Sequence, residues 1–103
     1  MALDIALLAE DGTAKHRASI GVDAHHRLMQ SCDSAGLDLL LRIRDYYAEA
    51  EFFRQEFPAL SDELRRARVS CEHDPEILSF VDRFAHLLDL AARSGRSLVA
   101  IPD

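Results

Sequence analysis

A stretch with a two-residue apolar repeat opens this chain, a short apolar run closes it, and most of what lies between repeats at helical spacing. Leu3, Ile5 and Leu7 fall on one side of an extended segment. Glu10-Asp11-Gly12-Thr13 follows, and Asp-Gly supplies residues that tolerate positive φ in a tight turn. The alternation resumes from Ala14 to Val22, with Ala18, Ile20 and Val22 pointing one way and Arg17, Ser19 and Gly21 the other. The first 22 residues therefore read as a β-hairpin. At the far end, Leu98-Val99-Ala100-Ile101 reads as a short strand that Pro102 stops. A last strand that follows a run of helices has one natural place, beside the hairpin.

The intervening residues predict helices. Asp23 is suited to an N-cap, and His25, Leu28, Met29 and Cys32 share a face at i, i+3, i+4 and i+7. The small and polar residues from Ser31 to Gly36 end that helix. Between Leu37 and Ala50 two patterns compete. Leu39-Leu40-Leu41 suits a buried strand, whereas Leu39, Ile43, Tyr46 or Tyr47, and Ala50 recur at helical spacing. Length favours the helix. Glu51 to Phe57 reads as a connecting loop, and Pro58 opens a helix with Leu60, Leu64 and Ala67 as its buried stripe. Cys71 to Asp74 is a loop, and Asp74-Pro75-Glu76 is a strong helix start. Ile77, Phe80, Val81, Phe84, Leu88 and Ala91 then make a continuous apolar stripe that ends near Gly95. The order ββααααβ predicts an α+β domain over residues 1–103, with a three-stranded sheet packed against about four helices.

Composition narrows the function. A chain of 103 residues with 49% hydrophobic residues buries a core without needing a metal or disulfides. A formal net charge of −6 disfavours nucleic-acid binding, which relies on a basic footprint. The segment Met1-Ala2-Leu3-Asp4-Ile5 has no basic residue, and Asp4 interrupts its apolar run, so it predicts no export signal. No window is apolar enough for a membrane span. These features predict a cytoplasmic protein with Cys32 and Cys71 as free thiols. No G-x-S-x-G, P-loop or H-E-x-x-H motif is present, which points away from an enzyme and implies no cofactor. His25, His26, Cys71 and His73 are the residues a metal site would use. Their spacing fits the usual paired zinc ligands poorly.

Charge placement is more informative than its total. Residues 45–76 hold nine acids and four bases, against six and five in residues 1–44 and three and three in residues 77–103. Five of the seven aromatic residues fall in the same middle third: Tyr46, Tyr47, Phe52, Phe53 and Phe57. Aromatic anchors beside carboxylates suit a surface that binds a basic protein. Tyr46, Tyr47, Glu49, Glu51, Phe52, Phe53 and Glu56 are therefore the candidate partner-binding residues.

Several segments also carry a family likeness. Asp4-Ile5-Ala6-Leu7-Leu8, Glu10-Asp11-Gly12-Thr13, Ser19-Ile20-Gly21-Val22-Asp23 and His26 through Met29 belong to it. So do Asp45-Tyr46-Tyr47, Glu49-Ala50-Glu51-Phe52 and Leu98-Val99-Ala100-Ile101-Pro102-Asp103. Together they resemble small stand-alone bacterial immunity proteins of polymorphic toxin systems. The resemblance implies a cytoplasmic protein, monomeric or homodimeric, that binds and blocks a cognate toxin domain. A nuclease toxin would be basic, and an acidic inhibitor suits its substrate groove. Two other expectations stand beside this one: a self-associating structural or adaptor subunit, and a small metal-dependent regulator.

Overall fold

The computed structural model describes residues 2–102; Met1 and Asp103, at the outer ends of the opening and closing segments, lie outside the described residues. The chain runs β1 (Leu3–Leu8), β2 (Ala14–Ile20), α1 (Val22–Ala35), a 3-10 turn (Leu40–Ile43), β3 (Ala50–Phe52), a second 3-10 turn (Arg54–Glu56), α2 (Phe57–Ser70), α3 (Pro75–Ser94) and β4 (Leu98–Pro102). The four strands form one antiparallel sheet in the order β2-β1-β4-β3. The expectation of three strands and four helices is therefore corrected to four strands and three α-helices.

The difference arises between Leu37 and Phe57. No α-helix spans Leu37 to Ala50. Leu37, Leu40, Ile43 and Tyr46 are the buried residues there, and they recur every third position. That is the period of a 3-10 turn rather than of an α-helix. Glu63, projecting from α2, starts the turn by accepting the backbone N–H groups of Leu39 at 3.2 Å and Leu40 at 2.9 Å. Asp45 then accepts the Tyr47 N–H at 2.9 Å, a side-chain-closed turn that bends the chain away from helix. The expected loop from Glu51 to Phe57 contains β3 and the second 3-10 turn instead.

The remaining elements follow their local chemistry. Gly21, not Asp23, occupies the N-cap of α1, and Asp23 sits in the first turn beside the positive end of the dipole. Gly36 ends that helix at φ 69°, where a side chain would be strained. Pro58 lies in the first turn of α2, where a missing N–H costs nothing. Asp74 caps α3 by accepting the Ile77 N–H at 3.3 Å.

All three helices lie on one face of the sheet, with α3 packed across β2 and β1 and α2 packed on α3. Leu3, Ile5, Ala18, Ile20, Leu98, Ala100 and Phe52 supply the sheet side of the core. Ile77, Phe80, Phe84, Leu87 and Leu88 supply the α3 side. Phe84 stands edge-on to both Phe52, with ring centroids 5.6 Å apart, and Phe80, at 5.8 Å. No described helix is long and apolar enough to cross a membrane.

Candidate interaction surface

Alternation along the strands leaves a second face of the sheet that no helix covers. Asp4, Ala6 and Leu8 of β1 lie on it, opposite Ser19 and Arg17 of β2 and Ile101 and Val99 of β4. Its β2 half is sealed by polar contacts. Asp4 accepts from Arg17 Nη1 at 2.7 Å and from the Ser19 hydroxyl, and the carboxylate is almost fully buried beneath them. The β3 half is different. Leu8, Val99 and Ile101 form the half-buried floor of a shallow concavity of about 420 Å³, with Glu49 and Glu51 on its rim. Neither carboxylate has an ion-pair partner among the described residues.

The strand period also sorts the candidate residues. Phe52 points into the core and is 0% exposed, so its neighbours Glu51 and Phe53 point the other way. Phe53 is 45% exposed. Glu49, Glu51 and Phe53 thus form one row at positions i, i+2 and i+4 along the edge of the uncovered face. Tyr46 is withdrawn into the core at 7% exposure, its ring against His25 at 4.9 Å and its hydroxyl donating to the Ile20 carbonyl at 3.1 Å. Tyr47 is 67% exposed but sits before β3, whereas Phe53 follows it. The two exposed rings therefore flank β3 rather than form one patch.

Glu56 is an internal anchor. Its carboxylate receives both terminal nitrogens of Arg42, at 2.7 and 2.5 Å, and the Phe53 N–H at 2.9 Å. Arg42 also donates to the Glu51 carbonyl at 2.9 Å and lies over the Phe52 ring, 5.4 Å from its centroid. One guanidinium so ties the first 3-10 turn, β3 and the second 3-10 turn together. Backbone pairing explains why the Glu51 carbonyl is free to receive it. The Leu8 N–H bonds the Ser97 carbonyl at 3.2 Å. The hydrogen-bonded pairs of β1 with β4 then include Ala6 with Val99, because such pairs recur every second residue. Val99 directs its backbone groups to β1, and Glu51 opposite it turns its own toward the open edge.

Arg42, and after it the Phe53 N–H, lower the Glu56 pKa from 4.5 to about 2. A depressed carboxylate pKa adds stability that is complete above the unfolded value and is lost as pH falls through the folded one. Acid titration of the wild type should therefore show stability falling between about pH 4.5 and 2, with a shallower loss in Glu56→Gln. Identical acid limbs for the two proteins would remove Glu56 from this role.

The residues named for a metal do not converge. His25 is buried with Nε2 2.7 Å from the Ile43 carbonyl, Cys71 is buried, and His26 and His73 are exposed. No three metal-ligating side chains gather among the described residues. Cys32 is fully buried, and burial, followed by the charges of Cys71 and Glu63, pushes its thiol up to about 12, far from a reactive thiolate. A larger concavity of about 770 Å³ opens between Phe57, Pro58 and Leu88, with Arg54 and Asp89 at its sides. Gln55 and Ser61 also line it, and Asp89 is paired with Arg93.

The comparisons with family models, curated proteins and solved structures give no match.

Proposed function

We propose that this protein is a non-catalytic binding module of the immunity type, which occludes a basic surface of a cognate toxin domain. The observation that carries this reading is the row Glu49, Glu51 and Phe53 beside the floor of Leu8, Val99 and Ile101. Apolar floor and aromatic edge supply area to desolvate, and two carboxylates without internal counter-ions supply attraction for Lys or Arg. This refines the candidate set. Glu49, Glu51 and Phe53 form the contact surface, Tyr47 lies at its margin, and Tyr46, Phe52 and Glu56 hold the backbone that presents it.

The test is capture from bacterial lysate with wild-type bait and with the double variant Glu49→Lys/Glu51→Lys, followed by rate measurements on the isolated pair. Both changes are on the surface, so circular dichroism should be unchanged. We expect a partner with a basic domain whose association rate falls by about tenfold or more in the variant at low salt. Retention of that partner by the variant at an unchanged rate would sink the reading. Recovery of the wild type only as its own homodimer would transfer the surface to self-association.

A further inference from the structure

A second concavity carries the opposite charge. It measures about 400 Å³ and lies between the β2 edge and the flank of α3, lined by His16, Arg17, Asp82, Arg83, His86 and Leu87. On the helix, His86 lies one turn from both Arg83, at i+3, and Asp82, at i+4. His16 arrives by a less ordinary route. The β1–β2 register pairs Ala6 with Arg17 and Leu7 with Lys15, so His16 is the extra residue of a β-bulge. Its φ of 51° makes it the only non-glycine residue with a left-handed backbone among the described residues. A bulge re-aims a side chain, and a side chain held at positive φ is strained.

The donors are available. Arg83 and the imidazoles of His16 and His86 have no acidic partner among the described residues. Arg17 uses one terminal nitrogen on Asp4 and remains half exposed. The one carboxylate in the cleft, Asp82, is engaged by Arg68 through Nε at 2.8 Å.

We infer that this cleft is a binding site for a phosphoryl group, held by the guanidinium of Arg83 and the imidazoles of His16 and His86, with Arg17 at its outer margin. Guanidinium and imidazole donors approaching from a strand edge and a helix flank suit an anion with several acceptor oxygens distributed around one centre. Leu87 leaves one wall apolar, which suits a phosphate monoester with a non-polar substituent. The inference is independent of the interaction surface at β3, which lies at the other edge of the sheet.

The experiment is an NMR titration of the whole chain with inorganic phosphate and with phenyl phosphate at low ionic strength, against sodium chloride of matched ionic strength. Saturable shifts confined to His16, Arg17, Arg83 and His86 are expected with both phosphates. Tighter binding of phenyl phosphate identifies the monoester as the ligand; tighter binding of the inorganic ion identifies free phosphate. Arg83→Gln and His16→Gly should each weaken binding about tenfold. Glycine accepts the positive φ, so the second variant keeps the bulge and separates lost binding from lost fold. Linear shifts equal to those with chloride, or unchanged affinity in both variants, would overturn the inference. Saturable binding of a glutamate-rich peptide without any response to phosphate would also overturn it.

Discussion

Phe52→Ala should destabilise the protein by about 3–5 kcal/mol, a large part of the roughly 5–15 kcal/mol that holds a domain of this size together. Phe52 is fully buried, stands edge-on to Phe84, and carries Arg42 over its outer face. Truncation empties a ring-sized space beneath a three-residue strand whose other ties are its pairing with β4 and the Arg42 contact to the Glu51 carbonyl. Thermal unfolding should shift down by about 15 °C or more. Phe53→Ala, one position along, removes a half-exposed ring from the other face and should stay within about 0.5 kcal/mol of wild type. The pair makes a controlled experiment for partner binding. A binding loss in Phe52→Ala that disappears at low temperature reflects unfolding, whereas a loss in Phe53→Ala at full stability reflects contact. Equal stability of the two variants would refute the division of the aromatic cluster into core and surface.

His25→Leu is the second substitution with a large expected cost. The imidazole is 5% exposed, lies 2.7 Å from the Ile43 carbonyl and supports Tyr46 edge-on. Leucine fills much of the space but cannot donate, so the Ile43 carbonyl loses its side-chain partner at a cost of about 1–3 kcal/mol. The effect should be concentrated in the segment that this contact closes. Hydrogen exchange should accelerate between Leu40 and Glu49 more than in α3. His26→Leu, on the exposed side of the same helix, should leave exchange unchanged. Uniform acceleration over the whole chain in His25→Leu would mean that the histidine supports the core at large rather than this segment.

The contrast between those neighbours explains what was legible in the sequence. The N-terminal hairpin, the C-terminal strand and α3 were legible from alternation, a short apolar run and a helical stripe, each with a punctuating residue: Gly12, Pro102, and Asp74 with Gly95; the bulge at His16 and the start of α1 at Val22, which the alternation had placed in the hairpin, were not. The segment from Leu37 to Phe57 was not. From Leu37 to Tyr46 its buried residues recur every third position, between the helix and strand templates, and the side chain that starts the turn, Glu63, lies more than 20 residues away. β3 has three residues and a glutamate at its centre, too short for alternation to declare itself. Of the candidate site, the acidic-aromatic composition was legible, but its division was not. Whether Phe52 or Phe53 faces outward depends on the strand register, and a one-residue slip would exchange them. The role of Glu56 depends on Arg42, 14 residues earlier, which no local pattern connects to it. The basic cleft was missed for the same reason: His16 and His86 are brought near each other only by the packing of α3 on β2.

The strand order has a consequence for how the chain acquires its structure. β1 and β4 are the two central strands, so residues 3–8 complete their pairing only with residues 98–102. During synthesis the hairpin and the helices can form early, but β1 waits for β4, and β3 has no strand partner until β4 arrives. The closing step therefore joins the most widely separated parts of the chain, the kind of contact that slows folding. Until then, the apolar face that β4 covers is open to other chains. A nascent chain stalled just before Leu98 should accordingly be held by chaperones or degraded, while one extended past Pro102 should become protease-resistant.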